Sequence, residues 1–233
     1  MAAVGALFPA VGHTIGALHV PRSVANLLGG ADYGTVTGWF RSEIGAIYGP
    51  LLVGALAITG AAAAIAGEEE DRILDLILAY PVRRSSLVLA DACADACIVL
   101  VLAACTWIGL LVGVAVAGGG VALGHMIALA VQLAFFGFAV GAVSVCVAAA
   151  TGRRSLAAGA ASAIAVLGWL INSFAPLVGG LSWLKYLSLY YYYAGHDPLT
   201  RGIGLPGLAV LAAVAAVLVG VGMVAIGRRD LRG

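Results

Sequence analysis

The chain has 233 residues, of which 63% are hydrophobic, 33 are glycine and only 10% are charged. Soluble proteins are about 45–50% apolar and a soluble fold of this length could not hide the excess, so with a mean hydropathy of +1.08 the chain reads as an integral membrane protein. A formal net charge of +1 excludes a strongly basic nucleic-acid binder.

In chain order, Met1–Ala10 carries neither a basic n-region nor a cleavage pattern, so no signal peptide is expected. Met1–Phe8 reads as the outer end of a span that begins earlier, broken by Pro9 and loosely packed for want of the turns below it; the alternative is a short N-terminal tail inserted with the first hairpin. Arg22–Glu43 continues outside the membrane. Val24, Leu27 and Leu28 point to a short amphipathic helix, and Trp39-Phe40 marks the return to the bilayer. Runs free of Asp, Glu, Lys, Arg and His then follow at Ile44–Gly67, Ala96–Gly124, Met126–Gly152, Ser155–Leu184 and Gly202–Gly227. Each holds one helix of the ~20 residues that cross the hydrocarbon. Gly118-Gly119-Gly120 closes the second span, Pro176 with Gly179-Gly180 the fourth, and Pro206 opens the fifth. The expected fold is all-α: one polytopic transmembrane bundle over 1–233, with five complete spans and the remnant of a first.

Arginine placement gives the orientation. Arg72, Arg83, Arg84, Arg153, Arg154, Arg228, Arg229 and Arg232 fall on one side, next to span ends. Arg22, Arg41, Lys185 and Arg201 fall on the other. The richer side is expected to be cytoplasmic, together with the C-terminus, in the cell membrane. Segments 1–43 and 183–206 are then external, and 68–86 is cytoplasmic. Trp183, Tyr186 and Tyr190–Tyr193 form an outer aromatic belt.

Charge is concentrated between the first two spans. Glu68, Glu69, Glu70, Asp71, Arg72 and Asp75 precede Pro81, Arg83 and Arg84. Ile73, Leu74, Ile77 and Leu78 share one helical face, while Glu68–Arg72 and Arg72–Asp75 can pair along another. Pro81 ends that helix, and Ser85 or Ser86 can cap the next. The reading is an amphipathic helix on the cytoplasmic interface. Fixing topology needs the arginines but not four consecutive acids beside an apolar face. A docking element accounts for both.

This segment, from Ile65-Ala66-Gly67-Glu68-Glu69-Glu70 through Leu76-Ile77-Leu78-Ala79-Tyr80-Pro81-Val82 to Ala90, resembles the membrane subunit of type 2 ATP-binding-cassette exporters, of the actinobacterial drug and antibiotic efflux sort. The Tyr193-Ala194-Gly195-His196-Asp197-Pro198-Leu199 stretch and the Arg228-Arg229-Asp230-Leu231-Arg232 tail continue the likeness. The resemblance implies six spans per permease unit, in line with a missing first span. It makes Glu68–Asp71, Arg72, Asp75, Pro81, Arg83 and Arg84 the coupling element that meets a separate ATPase subunit. It also implies a second permease unit and outward movement of a small amphiphilic solute. The chain departs from the family pattern where many relatives have Arg-Gly-Thr-Leu-Glu in place of Arg72-Ile73-Leu74-Asp75 and a basic residue in place of Asp91.

Asp91 and Asp95 share a face early in the second span. They could form a substrate or ion path. The favoured reading places them in the first turns of a helix at the wet inner interface, where its dipole favours acids. On the second reading, asparagine at both positions leaves transport largely intact. The lone Lys185 is followed by Tyr186, so no Walker-type nucleotide loop is present. No cofactor is expected, and Cys93, Cys97, Cys105 and Cys146 show no metal or disulfide spacing. Two other classes stay open. One is an intramembrane enzyme using His125, or His196 with Asp197; the other is a non-transporting half-permease.

Overall fold

The computed structural model describes residues 4, 7–9, 33–67, 83–178 and 180–228. Among them five helices are long and apolar enough to cross a membrane. They are α1 (Val36–Ala62), α2 (Arg84–Val116), α3 (Leu123–Thr151), α4 (Arg154–Phe174) and, after two short helices, α7 (Leu205–Arg228). The short pair, α5 (Leu189–Ala194) and α6 (Pro198–Arg201), folds over one end of the bundle. The described residues contain no strand. The all-α bundle of five spans expected from the sequence is the fold that forms.

Two boundaries differ from the charge-free runs, and for one reason. α1 starts at Val36, so Arg41 and Glu43 lie inside it, and α2 starts at Arg84, taking in Asp91 and Asp95. Backbone hydrogen bonding does not stop at a charge if tertiary contacts accommodate it. Neither serine caps α2. Arg83 is the N-cap, and the Ser86 hydroxyl donates back to the Arg83 carbonyl at 2.6 Å. The other turns follow the sequence. Gly118, Gly119 and Gly120 have φ of 95°, 83° and 102°, a run that side chains with a Cβ resist.

α3 is the axis. Most of its residues are buried inside the bundle, whereas most of those of α4 and α7 are not. Lipid tails are as apolar as leucine, so helices associate through close packing and interhelical hydrogen bonds. Gly137 and Gly141 of α3 supply the closeness. A Cβ on Gly137 would lie 2.7 Å from Val99 of α2 and 2.8 Å from Val53 of α1. The buried Ser144 hydroxyl donates to the Ile58 carbonyl at 3.0 Å, tying α3 to α1. Side chains facing away from this axis, such as Leu51, Val101 and Val217, are exposed as a bilayer requires. Ala61, Val88, Ala149 and Ile226 pack in one cluster. The arginine-bearing ends of α2, α3 and α7 therefore lie together.

The expectation of a loosely packed Met1–Phe8 is corrected at Phe8. That ring is 6% exposed and stands edge-on to Trp39 at 6.0 Å. The Trp39 indole N–H also donates to the Val4 carbonyl at 3.0 Å. The amphipathic helix expected around Val24–Leu28 lies outside the described residues.

Candidate functional site

Of the residues expected to couple to an ATPase, Arg83 and Arg84 are described and both are exposed at the arginine-rich end. Glu68, Glu69, Glu70, Asp71, Arg72, Asp75 and Pro81 lie outside the described residues. α1 runs on through a π-helical segment, Ala63–Gly67, immediately before them.

Asp95 is not the wet side chain that an early-turn position suggested. It is 5% exposed, and its Oδ1 has no hydrogen-bond partner. It lies about 16 Å along α2 from Arg84 at ~1.5 Å per residue. That is close to half of the ~30 Å hydrocarbon thickness. The carboxylate fits there because two glycines face it. Oδ1 stands 3.6 Å from where a Gly60 Cβ would be on α1, and a Cβ on Gly141 of α3 would collide with Oδ2. Asp91, a turn nearer the arginine-rich end, is partly buried. Beside Asp95 opens a groove of about 530 Å³ between α2, α3 and α7. Its walls are apolar, among them Leu89, Phe135, Phe138, Val219 and Met223.

A second polar region closes the opposite end. Residues Arg41–Tyr48 of α1 are π-helical, and Pro50 follows them. Proline lacks an N–H and its ring crowds the carbonyl four residues back, so the helix widens and loses donors there. Pro50 cannot donate to the Ala46 carbonyl four residues back or to the Gly45 carbonyl five residues back, and the Gly49 N–H is engaged with the Ile44 carbonyl. Two tyrosines of α5 donate instead. Tyr190 donates its hydroxyl to the Ala46 carbonyl at 3.0 Å, and Tyr193 donates to the Gly45 carbonyl at 2.7 Å. Burial pushes both phenols above their ordinary value, so they remain donors. Tyr190 and Tyr193 are therefore core residues, a correction to the aromatic belt. Trp183 and Tyr186 are exposed, as that belt requires.

Gln132 of α3, fully buried, pins the same cap. With its amide oriented to satisfy both groups, it donates to the Tyr193 carbonyl at 2.9 Å and accepts from the Gly204 N–H at 3.0 Å. Arg41 pairs with Asp197 at 2.9 Å, joining the start of α1 to the turn before α6. Asp197 also accepts from Thr200 at 2.6 Å and is the one described non-glycine residue with positive φ, 56°. Its carboxylate is thus engaged by Arg41 and Thr200, while His196 is exposed beside it. Arg41, Asn172, Arg201 and the two tyrosines line a vestibule of about 430 Å³.

Sequence reasoning missed Pro50, Tyr190, Tyr193 and Gln132 as a unit. The available signals were a proline inside an apolar run, tyrosines three apart, and an amide in mid-span that needs a partner.

No curated protein matches the chain. A family model described as ABC-2 family transporter protein, by contrast, matches residues 13–231, nearly the whole length. The chain therefore belongs to the ABC-2 transporter family, as a membrane permease that works with an ATP-binding subunit.

Proposed function

We propose that the chain is one permease unit of an outward-directed, ATP-driven exporter for a small amphiphilic solute of the drug or antibiotic class. The observation that carries this reading is the family assignment over residues 13–231, joined to a five-span bundle with a polar vestibule at one end. A second permease unit, identical or homologous, and an ATPase pair complete the machine. The arginine-rich end faces the cytoplasm and the vestibule faces outside, in keeping with the distribution of arginines at the span ends. The acidic run Glu68–Asp71 then lies where an ATPase can dock, just beyond the π-helical end of α1.

Co-purification with the ATPase tests the partnership, and the double variant Glu69→Lys/Glu70→Lys tests the docking segment. It should insert normally while ATP hydrolysis is no longer coupled to solute movement in vesicles. Full transport with normal ATPase capture by that variant would remove the segment from the coupling role.

A further inference from the structure

We propose that Asp95 and the groove beside it bind a lipophilic cation, an organic molecule whose ammonium-type or phosphonium-type charge is set in apolar groups. The proposal deepens the exporter reading and rests on it for one point, that the occupant is cargo. Burial without a partner and an uncharged surrounding meet here. Asp95 is 5% exposed, and its buried Oδ1 is unpartnered. Its two oxygens lie against Gly60 of α1 and Gly141 of α3, neither of which carries a charge. From α7 the groove presents only Ala212, Ala215, Ala216, Val219, Gly220 and Met223. Among the described residues no basic side chain forms an ion pair with it; Asp91 and Cys93, on its own helix, offer no positive charge.

A buried carboxylate with no counter-charge among the described residues is matched by a cation that arrives with its own apolar coat. The groove provides for that coat. At about 530 Å³ it falls within the ~300–1,000 Å³ of small-molecule pockets. Phe135 and Phe138, edge to face at 5.6 Å, line the same groove as Asp95 and offer π-faces to a cation. An anion of the same shape gains the apolar contacts but meets the carboxylate as a like charge.

Tetraphenylphosphonium and tetraphenylborate, nearly identical in shape and opposite in charge, separate these contributions. With the full chain in detergent micelles, equilibrium dialysis should show the phosphonium bound at least tenfold more tightly than the borate. Asp95→Asn should weaken phosphonium binding at least tenfold and erase the preference. Asp95→Glu, which keeps the charge, should retain it, and so guards against a merely misfolded asparagine variant. Equal binding of both ions by the unaltered protein, or phosphonium binding by Asp95→Asn within threefold of it, overturns the site. ATP-driven solute movement that persists without phosphonium binding overturns the cation site alone. Phosphonium binding by a chain that captures no ATPase overturns the exporter reading alone.

Discussion

At Pro50 a missing N–H is answered by a hydroxyl from elsewhere in the chain. The Ala46 carbonyl would take its α-helical hydrogen bond from residue 50, and proline cannot give one. Tyr190 gives it instead, at 3.0 Å. Removing that hydroxyl with Tyr190→Phe leaves a buried carbonyl unpaired, at a cost of about 1–3 kcal/mol. In a Pro50→Ala background the helix can supply its own donor, so the same substitution should cost much less. Denaturant midpoints for the four proteins of that cycle give the comparison. Equal penalties in both backgrounds would mean that the hydroxyl and the proline are unrelated.

The contact between α2 and α3 depends on Gly141 having no side chain. Its hydrogen atom faces the Asp95 carboxylate, and a methyl group there would overlap it. Gly141→Ala should therefore destabilise the bundle by about 1–3 kcal/mol through overpacking. In an Asp95→Ala background the methyl group has space, and the penalty should vanish. Thermal unfolding of the single and double variants shows which holds; an unchanged penalty would place the clash elsewhere. The neighbouring Gly137, tight against Val99 and Val53, makes the same helix face intolerant over a second turn. The Gly137/Gly141 spacing was visible in the sequence. Its importance was not, because 33 glycines produce many such pairs and only the folded bundle shows which of them meet a neighbour.

For the molecule as a whole, the two ends differ in chemistry and should differ in access. Ser155 lies at the arginine-rich end and Ser182 at the other, and both are exposed. A cysteine at Ser182 should react with an impermeant thiol reagent added to intact cells, and a cysteine at Ser155 should not. The reverse pattern would invert the orientation. The number of spans could be read from the sequence because the bilayer sets the length of a charge-free run. Where α1 and α2 begin could not, since Arg41 is accommodated by Asp197 and Asp95 by two glycines, partners remote in sequence. The same limit hid the cap. Tyr190–Tyr193 has the composition of an interfacial belt, and only the position of Pro50 across the fold turns Tyr190 and Tyr193 inward.

The borrowed hydroxyls also put the chain's birth in a set order. Tyr190 and Tyr193 follow their acceptors by 144 and 148 positions. A ribosome adding ~5–20 residues per second needs roughly 7–30 s to make up that distance. Throughout that interval the newly inserted α1 holds two carbonyls whose final donors have not yet been translated. Water, lipid headgroups or the insertion machinery must occupy them in the meantime, so the helix made early is the one finished last.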